Sequence, residues 1–482
     1  VHDPLLPGLD DAALAAILAD AADRAAALWL ARRRPGQAGT GEPAALPGPG
    51  EAPLPLAALA AELTGMLAAA TPSGADPLDF AHIPSTGNAA ALVADWFAAA
   101  LNVQTASAAL APHGVALERA VIARIAAFLG YGQATGGLLT GGSSLANLVA
   151  LTAARDAALP EAGRAGLAGT APVRIYASRA VHACIGRAAS VLGLGRQALV
   201  DASAQDPDHI DPEKLQGLVQ ADRAAGRRPL AIVATVGTAA TGAIDPLDEL
   251  AVIARQERLW LHVDGAFGAA AAAIEPPLAT AMAQADSVAL DLHKGLFLPY
   301  ETGCLLVRDA GALAASFAFT ADYLAAPEDA RDPMQLGPEL SRGLRALRIW
   351  ATFRCIGEAR LRAALCHCMD LAHWLHEAVA SSALLEAAAP TRLSIVCLRL
   401  RGSRELATAH ADALHLECLR RLADGSAAMR MSAVRHAGRI VLRACFVNPR
   451  TRRAEVQQLF ERLESLAGDV MGITGHPPPV TS

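Results

Sequence analysis

The feature that most constrains the fold is a series of short apolar segments between residues 173 and 308. They are VRIYAS (173–178), PLAIVATV (229–236), LWLHVDG (259–265), SVALDL (287–292) and GCLLVR (303–308). Several are continuous apolar runs and not strict alternations, which predicts strands buried on both faces. Segments of helical periodicity such as PLDELAVIARQER (246–258) separate them. This alternation predicts an α/β domain with a largely parallel central sheet. In such sheets the working residues sit where strands end. The polar residues His182, Thr238, Asp264, His293 and Lys294 cluster at those ends.

The flanks differ. Residues 9–34 carry apolar positions at three- and four-residue spacing with Asp at the start, an amphipathic helix. Residues 35–55 are rich in Pro and Gly and read as an extended arm. A helix and an arm have too little core to stand alone, which predicts packing on the main body or on another subunit. After residue 340 a long helical stretch leads out of the core. TRLSIVCLRL (391–400), a helix from about 404 to 424, RIVLRACFVN (439–448) and a last helix then predict a small α+β domain of two strands and two helices. The expected boundaries are an N-terminal helical arm for dimerisation over 1–90, a large domain over 91–370 and the small domain over 371–482.

Several function classes are disfavoured. Lys and Arg number 41 against 47 Asp and Glu, a net charge of -6, and no clustered positive excess marks a nucleic-acid partner. The ARRR run (31–34) closes the first helix, where basic residues complement the helix dipole. GAFGAAAAAI (265–274), among the longest apolar runs, is too short to span a bilayer. The opening VHDPLLPGLD has no basic region followed by an apolar one, so neither a signal peptide nor a membrane partner is expected. Eight irregularly spaced cysteines fit a reducing, cytoplasmic setting. In CHCMDLAHWLH (366–376), helical spacing puts Cys366, Asp370 and His373 on one face. Cys366 and Cys368 point about 200° apart, however, and no second Cys pair lies at zinc-site spacing. A helix with buried cysteines and no metal is the plain reading.

Chemistry concentrates in five stretches. DLHKGLF (291–297) holds an acid, an imidazole and an amine in four consecutive residues between apolar segments. Buried charges are costly unless paired, solvated or functional. LWLHVDGAFG ends a buried strand in Asp264, either a cap for the next segment or an anion facing a cationic heterocycle nitrogen. TGGSSLANLVAL (140–151) sets two glycines and two serines before an apolar helix, as an anion site or as a plain N-cap. RAVHACIGRAASVLGLG (179–195) starts a helix near His182, and VATVGTAATGAIDPLDEL (233–250) runs from a strand into Gly-Thr.

Together with SAALAPHGVALERAVI, DSVALDLHKGLFLPYETGCLLVRD and LSRGLRALRIW, these stretches resemble one family, the pyridoxal phosphate (PLP)-dependent group II amino acid decarboxylases. That family includes the aromatic amino acid decarboxylases, and the resemblance spans roughly residues 55–480. It implies PLP-dependent transferase fold type I, aspartate aminotransferase-like: an α/β fold with a mostly parallel central sheet, a small C-terminal α+β domain and an N-terminal helical arm. It further implies a homodimer and a carboxy-lyase that converts an L-amino acid to its amine and CO2.

The resemblance also assigns residues. Lys294 would hold PLP as a Schiff base, and Asp264 would keep the ring nitrogen protonated. His182 would stack on the ring and Ala266 would leave room beneath it. Ser143, Ser144 and His293 would bind the phosphate, and Thr238 lies on the cofactor side. Asp291 stands where relatives often have Asn. Tyr323, in FAFTADYLAAP, matches the family's loop tyrosine that returns a proton to Cα; aldehyde-synthase relatives have Phe there. His182 is a second candidate donor.

Departures from the family pattern are Ala239 where Gly-Thr-Thr is common and Gly295 where Trp is common. In DFAHIPSTGN (79–88), the substrate-side segment with Ser85, His82 replaces an aromatic residue and Ile83 follows it. An aromatic L-amino acid is the leading substrate. 2,4-Diaminobutyrate, an acidic amino acid, an oxidative aldehyde synthase and an inactive PLP-binding scaffold are the rivals.

Overall fold

A computed structural model of the chain describes residues 10–35, 54–68, 74–83, 85–132, 136–319, 331–424 and 428–472. Its main sheet has seven strands: β1 (Gly136–Thr140), β2 (Val173–Ala177), β3 (Leu199–Asp201), β4 (Arg228–Thr235), β5 (Trp260–Asp264), β6 (Ser287–Asp291) and β7 (Gly303–Val307). Their spatial order is β1-β7-β6-β5-β4-β2-β3. β7 is antiparallel to both neighbours, β1 and β6. The pairs β2/β3, β2/β4, β4/β5 and β5/β6 are parallel.

The five apolar segments each form a strand, for the expected reason: helices cover both faces, so Ile232, Val233, Val263 and Val288 are completely buried. β1 and β3 escaped the sequence reading. β1 (GGLLT) opens on two weak strand formers, and β3 has only three residues, too few for a pattern.

A second, antiparallel sheet follows, with strands β8 (Leu385–Ala387), β9 (Ile395–Leu400), β10 (Ser432–His436) and β11 (Arg439–Cys445) in the order β10-β11-β9-β8. The expected two strands are therefore four. β8 is only three residues long, and β10 is an edge strand that alternates between exposed and half-buried positions. Neither presents the apolar run that marks a core strand. The helices Thr408–Leu422 and Arg453–Val470 complete this layer.

The long helix Glu358–Ala380 carries the Cys/His cluster on different faces. His367 Nε2 meets the Thr451 carbonyl at 2.7 Å and His376 Nδ1 meets Thr391 Oγ1 at 3.0 Å, while Cys368 is buried and Cys366 exposed. At the N-terminal end, Asp10 caps the helix Asp11–Ala31 by accepting from the Ala13 amide at 2.8 Å. That helix buries none of its residues in this chain. Among the described residues no helix is long and apolar enough to cross a membrane.

Candidate active site

The carboxyl ends of β4, β5 and β6 open onto a cavity of ≈ 300 Å³ whose lining includes Ser143, His182, Thr238, Asp264, His293 and Lys294. Parallel strands aligned in register bring their last residues to one edge, so a strand end and the loop after it can aim side chains at one point. The sheet does so here with two acids from adjacent strands, Asp264 and Asp291.

β6 ends at Asp291 and turns at once into the short helix Leu292–Gly295. One Asp291 oxygen accepts from the Ser143 amide at 2.6 Å, and the other lies 2.8 Å from Lys294 Nζ and 3.7 Å from His293 Nε2. Burial pushes His293 toward its neutral form, opposed by the Asp291 charge. Its ring packs on Tyr300 with centroids 4.3 Å apart. Gly295 has a steric reason: a Cβ there would lie 2.3 Å from the Ala270 Cβ, so no larger side chain fits this backbone.

Asp264 is 3% exposed. Its Oδ1 accepts from the Ala266 amide at 3.2 Å and its Oδ2 lies 4.0 Å from the Cys184 thiol. It makes no ion pair with a described residue. Burial pushes its carboxyl above the ordinary range, while the Ala266 amide and the charges of His182 and Lys294 act the other way. An ionised group so placed is short of one cationic partner.

The helix Ser143–Ala158 starts at the cavity from Gly142, whose φ of +123° turns the chain into the first helical residue. The Ser143 hydroxyl is buried with no hydrogen-bond partner among the described residues, and so is the Thr235 hydroxyl at the end of β4. Ser144 lines the cavity beside them. Thr238 Oγ1 instead bonds Thr241 Oγ1 at 2.9 Å and accepts from the Ala243 amide at 3.1 Å, so it braces its own turn.

Residues 35–401 match the pyridoxal-dependent decarboxylase conserved domain. The chain belongs to that family. It is 31% identical over 402 residues to the aromatic-L-amino-acid decarboxylase of Bacillus atrophaeus, with 82% of each chain covered. It is 29% identical over 399 residues to the L-2,4-diaminobutyrate decarboxylase of Rhizobium meliloti, covering 82% of this chain and 78% of that one. The structure of Oryza sativa TDC with PLP and tryptamine superimposes with a TM-score of 0.87 at 25% identity, over 98% of this chain and 100% of that one. The protein is a PLP-dependent amino acid decarboxylase, a carboxy-lyase of fold type I.

The residues of this decarboxylase fit its cofactor. Among the described residues a buried serine hydroxyl without a partner opens a helix, a buried carboxylate makes no ion pair, and a lysine lines the same cavity. These match, in turn, a phosphate, a ring nitrogen and an aldehyde. His182 is exposed toward the cavity and caps the helix Ala183–Val191, its Nδ1 accepting from the Cys184 amide at 3.3 Å. Ala266 lines the floor beside Phe267.

On the substrate side the arrangement departs from the sequence reading in detail. His82 is exposed, and its neighbour Ile83 is the residue that lines the cavity. Ser85 donates through its hydroxyl to the His293 carbonyl at 2.9 Å, which ties this segment to the lysine turn. Arg443 of β11 donates to the Ala81 carbonyl at 3.0 Å and also to the Ala239 carbonyl. Thr235, Cys184 and Asn147 line the cavity and were missed by sequence reasoning, while Arg443 reaches it only through the Ala239 carbonyl. Thr235 alone had a local signal, one residue before the end of the predicted strand 229–236. Tyr323 lies outside the described residues.

Proposed function

We propose that the preferred substrate is an aromatic L-amino acid, released as the corresponding amine and CO2, and that the enzyme acts as a cytoplasmic homodimer. The observation that carries the substrate reading is the apolar wall that Ile83 and Phe267 give the cavity. An aromatic side chain gains by burial against such a wall. The similarity to an aromatic-L-amino-acid decarboxylase supports the same choice.

In this reading Lys294 anchors the cofactor, and Asp264 keeps the ring nitrogen protonated by supplying its counter-charge. Ser143, Ser144 and His293 hold the phosphate at the helix start. Thr238 and Ala266 shape the cofactor's surroundings, and Asp291 orients the Lys294 amine. Bound PLP supplies the electron sink for the pair left when the Cα–carboxyl bond breaks. His182 covers the ring face and excludes water. Tyr323, with His182 as the second candidate, delivers the proton to Cα. His82 and Ser85 belong to the substrate-side segment, where Ser85 acts through its hold on the His293 carbonyl.

The dimer is supported by the helix Ala89–Leu101, which leaves Phe97 61% and Leu101 62% exposed in the single chain. Residues 1–90 would form the dimerising arm, with 91–370 and 371–482 as the large and small domains. Eight free cysteines, six of them buried, support a reducing compartment.

The test is CO2 release measured across the proteinogenic amino acids, DOPA, 2,4-diaminobutyrate and cysteine sulfinate. The highest kcat/KM is expected on an aromatic substrate, and a diamino or acidic substrate at the top would overturn the reading. Aldehyde and hydrogen peroxide in place of amine would identify an oxidative aldehyde synthase instead.

A further inference from the structure

Behind Asp264 lies a row of polar groups, buried in all but the half-buried Trp260, that the reaction itself does not use. Trp260 Nε1 donates to Ser287 Oγ at 2.8 Å, and Ser287 Oγ meets His262 Nδ1 at 2.8 Å. His262 Nε2 meets Asn147 Oδ1 at 2.8 Å, and Asn147 Nδ2 meets Cys184 Sγ at 3.2 Å. Cys184 Sγ ends the row 4.0 Å from Asp264 Oδ2. Ser287, His262 and Asn147 are completely buried, so none of them exchanges its partner for water.

The two ends set the polarity of this row. An indole N–H can only donate, and an ionised carboxylate can only accept. With Asp264 accepting, the Cys184 thiol must donate to it, and the sulfur is left to accept from the Asn147 amide. Asn147 Oδ1 must then accept from His262 Nε2–H, and His262 Nδ1 from the Ser287 hydroxyl. Every group in the row donates toward Asp264. Burial supports both titratable members: it pushes His262 down to about 3, which keeps the ring neutral, and the Cys184 thiol up to about 11, which keeps its proton on sulfur.

We propose that Cys184 and Asn147 are positioning residues: with His262 and Ser287 they form a one-way hydrogen-bond chain that holds the Cys184 thiol proton on Asp264 and keeps that carboxylate ionised and aimed at the cofactor's ring nitrogen. The proposal rests on the assignment of Asp264 to that nitrogen. A thiol free to rotate would donate elsewhere for part of the time; the Asn147 amide on its sulfur removes that freedom. Chains of aligned donors also polarise one another, so the last contact is stronger than a lone thiol would make it.

The test compares Cys184→Ala, Cys184→Ser and Asn147→Leu by the PLP dissociation constant and by the pH midpoint of the bound cofactor's visible absorbance. Cys184→Ala is expected to weaken PLP binding roughly threefold to tenfold, the size of one modest hydrogen bond, and to shift the midpoint. Cys184→Ser, which keeps a donor, is expected to retain most of both. The double variant Cys184→Ala/Asn147→Leu is expected to be no worse for PLP than the weaker single variant, because both break one chain.

A merely structural role would lower the melting temperature and leave the midpoint in place. Unchanged affinity and midpoint in Cys184→Ala, or additive losses in the double variant, would overturn the proposal. If Asn147→Leu does not fold, the two Cys184 variants decide alone. Asp264→Asn separates this proposal from the reading beneath it. A silent Asp264→Asn would sink the nitrogen assignment itself, whereas a damaging one beside a silent Cys184→Ala would sink only the chain.

Discussion

Asp264 and Asp291 invite comparison, because each ends a strand of the same sheet, and β5 and β6 are neighbours. Both are buried, yet they are compensated in opposite ways. Asp291 is satisfied inside the chain by the Lys294 ammonium at 2.8 Å and the Ser143 amide at 2.6 Å. Among the described residues Asp264 has only a backbone amide at 3.2 Å and a thiol at 4.0 Å. A buried carboxylate without a cation is unstable unless a partner arrives. The comparison therefore separates an acid that serves the apoprotein from an acid that waits for a ligand.

The largest effect should come from the lysine that shares their cavity. Lys294→Ala is expected to lower kcat/KM at least about 10⁴-fold and to abolish the cofactor label fixed by borohydride. Retained activity would overturn the whole assignment. Asp264→Asn comes next, with kcat lower by about 10²–10³-fold, because a neutral amide cannot hold the ring nitrogen protonated. Equal losses from Asp264→Asn and Asp291→Asn would erase the distinction between the two acids.

Asp291→Asn is expected to act in the other direction on binding. Its carboxylate occupies the helix start that the phosphate needs, so removing that charge should tighten PLP by roughly tenfold. The dissociation constant measures this, and weaker binding would show that Asp291 helps to hold the cofactor.

The smallest effect is on stability and concerns His262, which supports only the Asp264 side. Burial holds its folded value at about 3, against about 6.5 in the unfolded chain. Between these values the unfolded chain binds the proton and the folded protein does not, so acid favours unfolding. Wild type should lose stability as pH falls below about 6.5, by up to about 1.4 kcal/mol per pH unit from this group. His262→Asn should remove that share of the slope, measured by urea unfolding between pH 7 and about 5. An identical slope in the two proteins would mean that His262 is already charged when folded.

Much of this site could be read without coordinates. Asp264 and Lys294 declare themselves because each follows an apolar run that can only be a buried strand, and a charge at such a position needs a reason. The serine pair before an apolar helix is legible on the same terms. His82 was less so: the segment was found, but one residue of register decides which side chain faces the cavity, and it is Ile83. The edge strands β8 and β10 were missed because short, half-exposed strands carry no period.

What the sequence determined by itself is therefore the set of local elements and the residues at their ends, since backbone periodicity and apolar runs act over a few neighbours. What the tertiary structure decided is the pairing of distant groups. His262 meets Asn147 across 115 residues, Cys184 reaches Asp264 across 80, and Arg443 joins the Ala81 carbonyl across 362. No local pattern marks an Asn or a Cys for such a role. A buried polar group takes whatever partner the packed fold brings within about 3 Å, and only the closed sheet and its covering helices say which partner that is.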